Sequence, residues 1–200
     1  MTSPSAAPKK YIEIIEHYEA CLAKYGDSHL GVDWPKPEDA ETRYRVMLEV
    51  IRKPRPPIVR LLDFGCGASH LYEYMVAAGV GGIEYTGLDL SPKFVELSRT
   101  KFPHNSYICA DILEEPESVP SYDYIVMNGV FTEKRGLAFD EMLAYFERTL
   151  SSVFAKAKLG LAFNVMSKHV DWERDDLFHL PFDTLARFLI ASLSGSRLSK

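Results

Sequence analysis

Leu61-Leu-Asp-Phe-Gly-Cys-Gly-Ala-Ser-His-Leu71 is the segment from which the rest of this 200-residue chain is read. The apolar residues Ile58, Val59, Leu61 and Leu62 predict a buried strand. It ends in Asp63, followed by Gly65 and Gly67, then a helix starting near Ala68. Glycines at a strand-to-helix turn let backbone approach a ligand closely. The helix that follows offers free N–H groups to an anion. The segment therefore predicts a nucleotide-like cofactor. A dinucleotide fingerprint needs a small residue at the sixth position. His70 stands there, and no G-x-x-x-x-G-K-[ST] phosphate loop exists in the chain.

The next predicted strand, Ile83 to Leu88, ends in Asp89, 22 residues past Gly67. An acid at that place can hold both hydroxyls of a ribose. Strand, Asp, G-x-G, helix, strand, Asp is a far more specific pattern than G-x-G alone.

These residues resemble the class I S-adenosylmethionine (SAM)-dependent methyltransferases. Leu61–Gly67 matches the family's first motif, and Tyr85-Thr-Gly-Leu-Asp89-Leu-Ser91-Pro92 its second. Cys109-Ala-Asp111-Ile112 is similar to the third, and Tyr122-Asp-Tyr-Ile-Val-Met-Asn128-Gly-Val-Phe131 to the fourth. The resemblance covers residues 58 to 131. It implies SAM as cofactor, with S-adenosylhomocysteine as product. It also implies roles. Asp63 orders the loop near the methionine amine. Gly65, Cys66 and Gly67 pass under the methionine part. Asp89, with Leu90 beside it, holds the ribose, and Asp111 and Ile112 contact adenine. Asn128 and Gly129 lie beside the cofactor. The Asn-Pro-Pro-Tyr signature for transfer to amide or base nitrogens is absent.

Length suits one domain with a sizeable core. Net charge is −5 and no Lys/Arg run exceeds two residues, so nucleic acid is not an expected partner. No apolar stretch approaches the roughly 18 residues of a membrane helix. Cys21, Cys66 and Cys109 show no metal spacing. They read as reduced thiols of a cytoplasmic protein with no metal. Residues 1–8 are small and polar and lack an apolar signal region, which predicts a flexible tail.

Two amphipathic helices are expected at 9–25 and 38–53, the second stopped by Pro54, Pro56 and Pro57. Strands follow at 58–63, 83–89, 106–110, 122–127 and 159–166, with helices at 68–78, 92–101, 139–157 and 181–193. This alternation predicts a Rossmann-like, doubly wound α/β sheet, mostly parallel. Three stretches are expected: a tail at 1–8, a helical lid at 9–57 and a SAM-binding core at 58–200. In the family the fifth strand is followed by a helix and a β-hairpin. Here the C-terminus is too short for strands six and seven. An unfinished sheet would expose an edge and favour association, as in a homodimer, or poor stability.

The lid carries Val32-Asp-Trp34-Pro and Arg43-Tyr44. Its aromatics fit core packing first, although an aromatic face can also stabilise a sulfonium. Arg43 could pair with the methionine carboxylate. Catalysis rests on position alone. Residues after strands four and five belong near the mouth of an open α/β sheet, which makes His169 the first base candidate and Glu133 the second. The expected activity is methyl transfer from SAM to oxygen or nitrogen of a small-molecule acceptor. The alternative is a non-catalytic SAM-binding partner subunit. A nucleotide-dependent oxidoreductase is third, and His70 counts against it.

Overall fold

The computed structural model describes residues 9–52 and 56–193. The expected tail at 1–8, the Pro54 stop and the terminal segment 195–200 lie outside the described residues. The strands are β1 (Val59–Phe64), β2 (Ile83–Asp89), β3 (Ser106–Cys109), β4 (Tyr122–Phe131), β5 (Ala157–Ser167) and β6 (His179–Leu180). The helices are α1 (Ile12–Tyr25), α2 (Pro37–Leu48), α3 (His70–Ala77), α4 (Pro92–Lys101), α5 (Phe139–Phe154) and α6 (Phe182–Phe188). The strand order is β3-β2-β1-β4-β5-β6, and each neighbouring pair runs parallel. The fold is the expected Rossmann-like sheet.

Strand alternation sends successive residues to opposite faces. Leu62, Ile125 and Met127 pack with Phe146 and Leu150 of α5 and Ile14 of α1. Leu61, Tyr124 and Val126 pack with Leu71 and Met75 of α3, Val95 of α4 and Met47 of α2. With both faces covered, the central strands read as continuous apolar runs, as buried parallel strands do. The start of α4 follows its sequence signals: Pro92 takes the first helical position, and the Ser91 hydroxyl accepts a hydrogen bond from Phe94 N at 3.4 Å.

The helix expected at 38–53 ends at Leu48, and three further differences bear on the sheet. Helix α5 stops at Phe154, because the chain turns within Ala155 and Lys156 to begin β5 at Ala157. Strand β4 continues to Phe131 through a bulge. Met127 faces Phe163 and Phe131 faces Val165, so four steps on β4 (127 to 131) oppose two on β5 (163 to 165). Gly129 holds φ 81° inside this bulge. Third, a sixth strand exists: Met166 pairs with His179 and Ser167 with Leu180. His179 is 5% exposed. Its Nδ1 lies 3.0 Å from the Ser167 carbonyl, and its Nε2 accepts from Arg174 N at 3.3 Å. One proton on Nδ1 satisfies both bonds. The edge strands β3 and β6 span four and two residues, and short edges limit pairing with another sheet.

Candidate cofactor cleft

Strand order reverses between β1 and β4, and a cleft opens at their carboxyl ends. Ligands of open α/β sheets bind at such a reversal. The floor of the cleft is the turn after β1. Gly65 and Cys66 donate their N–H groups to the Leu88 carbonyl at 2.7 and 2.9 Å. Gly65 holds φ 75°, and a Cβ there would lie 2.7 Å from Val130 Cγ2. A side chain is therefore excluded by both backbone conformation and space.

Asp89 ties this turn to β2. Its Oδ2 accepts from Gly67 N and its Oδ1 from Ser91 N, each at 2.9 Å. Burial pushes the carboxyl above the usual range, and the N–H groups of Ser91, Gly67 and Leu90 oppose that shift. The carboxylate keeps acceptor capacity for a ligand. Asp63 is 3% exposed and accepts from the Tyr85 hydroxyl at 2.7 Å. Burial pushes its carboxyl up to about 7, Tyr85 pulls it down, and Asp89 raises it further. On the β4 side Gly129 donates to Asn164 Oδ1 at 2.8 Å. The buried Asn128 Oδ1 has no hydrogen-bond partner among the described residues.

The two N-terminal helices and their connection form the roof. A Cβ on Gly67 would touch Val32, and one on Gly129 would lie 3.2 Å from Trp34. The Arg43 guanidinium stacks 4.5 Å from the Trp34 ring centre. Tyr11 stacks on Tyr145 with ring centres 4.8 Å apart and planes at 18°. Two polar ties fasten the roof. Glu19 accepts from the Ser91 hydroxyl at 2.6 Å and pairs with Lys93 at 2.7 Å. Asp27 lies 2.8 Å from both His70 Nε2 and Lys101 Nζ.

The cleft brings together Asp63, Gly65, Cys66, Gly67, Asp89, Leu90, Asn128 and Gly129, as expected from the sequence. The other expected residues lie elsewhere. Asp111 is occupied by the Tyr11 hydroxyl at 2.5 Å, Lys9 at 3.6 Å and Leu113 N at 3.0 Å. Ile112 is 2% exposed and belongs to the core beneath. Arg43 sits on Trp34 without lining the cleft. Glu133 follows β4 but bridges to Leu177, which turns it inward to 4% exposure. Burial raises its carboxyl, and Arg135 at 3.2 Å opposes this. His169 is exposed on the loop after β5. That loop runs outward: Lys168 N already donates to the Leu180 carbonyl of β6.

Sequence reasoning missed Tyr145, whose position on the apolar stripe of α5 reads as core. It also used His70 only to exclude a dinucleotide, whereas His70 and Leu71 line the cleft.

A family model for a methyltransferase domain matches residues 62–159. Rv1506c of Mycobacterium tuberculosis (strain ATCC 25618 / H37Rv), named as a methyltransferase, is 31% identical over 122 residues. The match covers 58% of this chain and 70% of that protein. The chain belongs to the class I SAM-dependent methyltransferases. The structure of a SAM-bound magnesium protoporphyrin IX methyltransferase from Synechocystis PCC 6803 aligns with a TM-score of 0.65 at 15% identity, covering 94% of this chain and 88% of that one. A Burkholderia thailandensis 1,6-didemethyltoxoflavin-N1-methyltransferase aligns at 0.60 with 17% identity, over 96% of this chain and 81% of that one. At those identities the likeness is one of fold.

The methyltransferase cofactor is SAM, and the cleft fits it. Its floor has no side chain at Gly65, where a Cβ would clash. The Asp89 carboxylate and the unpartnered Asn128 Oδ1 are acceptors available to a polar ligand.

Proposed function

We propose that this methyltransferase acts on an oxygen or nitrogen of a small metabolite. The roof carries this reading. The described part of the expected lid, residues 9–52, sets Val32 against Gly67 of the glycine turn and Trp34 against Gly129 of β4. The space beneath is concave and mostly apolar with a few polar groups, as small-molecule sites commonly are. Tyr11, Tyr18, Tyr44 and Tyr145 line it. Their hydroxyls can orient an acceptor, and their faces can stabilise a cation.

SAM, when bound, supplies an electrophilic methyl group on a sulfonium. The chain supplies position. Asp89 takes the ribose hydroxyls and ionised Asp63 takes the methionine ammonium. Arg43, which stacks on Trp34 outside the cleft lining and has no carboxylate partner among the described residues, would reach the methionine carboxylate from the rim. Asn128 Oδ1 accepts from a ligand N–H or O–H. Alignment of this kind is worth on the order of 7–11 kcal/mol.

Of the two base candidates, Glu133 is favoured. It is buried and does not itself line the cleft, but its charge adds to the burial that raises the phenol of Tyr18, which does. Glu133→Gln is expected to lower kcat by about 10²-fold or more, as the loss of one general base does. His169→Ala stays within about twofold. A large loss in His169→Ala with none in Glu133→Gln reverses the assignment.

Asp63 gives a pH dependence. Its carboxyl is protonated below about 7 in the cofactor-free protein, and only the ionised form pairs with an ammonium. SAM affinity should therefore rise as pH increases to about 7 and level off above it. The cofactor-free fold shows the opposite trend. The folded state holds a proton that the unfolded chain releases near 3.8, so this carboxyl lowers stability as pH rises through that window. Calorimetric titration of wild type and Asp63→Asn across this range tests the assignment, and an identical pH profile in both defeats it.

The function itself is tested by calorimetry with SAM and S-adenosylhomocysteine, followed by turnover on hydroxyl- and amine-bearing metabolites. A product methylated on carbon overturns the oxygen or nitrogen assignment. Among the described residues no helix is long and apolar enough to cross a membrane. A cytoplasmic location agrees with the free thiols of Cys21, Cys66 and Cys109.

A further inference from the structure

Three donor atoms of the roof converge on one point. His17 Nε2 lies 2.7 Å from Asp33 Oδ2, and the same nitrogen lies 3.8 Å from Cys21 Sγ. All three atoms fall within 4.8 Å of one another. His17 and Cys21 are four residues apart on α1, so they share one helix face. Asp33 ends the short 3-10 turn Leu30–Val32 and holds φ 52°. That conformation is uncommon outside glycine and marks a position held by its surroundings. The turn is held by Trp34 N donating to the His29 carbonyl at 2.7 Å and by His29 Nδ1 at 2.6 Å from the Trp34 carbonyl.

The donor set is an imidazole nitrogen, a sulfur and a carboxylate oxygen. That combination suits a borderline ion such as Zn²⁺, whereas Mg²⁺ and Ca²⁺ take all-oxygen sites. Tetrahedral bonds of about 2.0–2.3 Å place ligand atoms about 3.3–3.8 Å apart. The His17–Cys21 separation meets this already. The His17–Asp33 contact opens by under about 1 Å when the metal replaces their shared proton. The Arg135 guanidinium, which acts on Cys21 electrostatically, is engaged with Glu133 at 3.2 Å and Asp176 at 3.4 Å.

We propose that His17, Cys21 and Asp33 bind one zinc-like divalent ion, with a fourth position open to solvent. The ion staples α1 to the loop that carries Val32 and Trp34 onto Gly67 and Gly129. Binding releases the thiol proton of Cys21 to solvent, and the proton between His17 Nε2 and Asp33 gives way to the metal, leaving a neutral imidazole protonated on Nδ1.

Co²⁺ titrated into the full-length metal-free protein tests the site. One equivalent should give visible bands of a tetrahedral ion and a near-ultraviolet sulfur-to-cobalt charge-transfer band. Cys21→Ser should lose the charge-transfer band, while Cys109→Ser should keep it. Zn²⁺ should raise the melting temperature of wild type by several degrees and leave that of Asp33→Asn unchanged. His17→Ala should lose both signals, and the near-isosteric Cys21→Ser and Asp33→Asn carry the test if it fails to fold. Absence of the band at one equivalent, its survival in Cys21→Ser, or equal stabilisation of Asp33→Asn would each overturn the proposal.

Discussion

Asp89→Ala is expected to weaken SAM binding by about two to four orders of magnitude. In the proposed complex its carboxylate accepts two ribose hydroxyls, and hydrogen bonds to charged groups contribute about 1.5–3 kcal/mol each. Two such bonds sum to about 3–6 kcal/mol, or about 10²- to 10⁴-fold in Kd. The substitution also removes the acceptor of Gly67 N and of Ser91 N, so the glycine turn loses its tie to β2. Asp111→Ala is the comparison. Its oxygens are held by Tyr11, Lys9 and Leu113, so SAM affinity should change by under about threefold, within the range of ordinary surface substitutions. Isothermal titration of both variants, with circular dichroism to check the fold, measures the difference. Equal and negligible effects would refute the ribose assignment.

Phe146→Ala should cost about 3–5 kcal/mol of folding stability, the range for a buried Phe reduced to Ala. Phe146 is 1% exposed on α5. Its ring meets Phe131 edge-on at 4.8 Å, Phe188 at 5.6 Å, and Phe163 and Phe178 at 6.0 Å. It thereby joins α5 to β4, β5, α6 and the segment leading into β6. A domain has about 5–15 kcal/mol in total, so one substitution removes a large share. Phe182, 65% exposed at the start of α6, is the control, and Phe182→Ala should cost under about 0.5 kcal/mol. Denaturant melts compare the two, and similar midpoints would contradict the central role of Phe146.

The glycine turn and its two acids were legible because their signals are local. An apolar run ending in Asp63 and two glycines can be read without knowing what packs nearby. The cap of α4 was legible for the same reason, with Ser91 and Pro92 adjacent. The continuation of β4 past Met127 was not. The expected strand ends at 127, and only the register against β5 carries it on through Asn128 and Gly129 as a bulge. Strand β6 has two residues and no period to detect, and it exists through pairing with the end of β5.

The catalytic candidates show the same division. The rule that functional residues follow strand ends named Glu133 and His169, yet neither lines the cleft. The chain after β4 folds inward against Leu177, and the chain after β5 runs out to the edge strand. Asp111 was recognisable as a loop acid, but its partner Tyr11 lies 100 residues away.

Cofactor class and sheet type followed from the sequence, because both depend on short-range spacing of glycines, acids and apolar runs. Tertiary structure assigned the rest. It spends Asp111 on the roof, carries Trp34 onto Gly129, admits Tyr145 to the cleft and gathers His17, Cys21 and Asp33 at one point. These are contacts between distant segments. They depend on how each helix packs against the sheet, which local spacing does not encode.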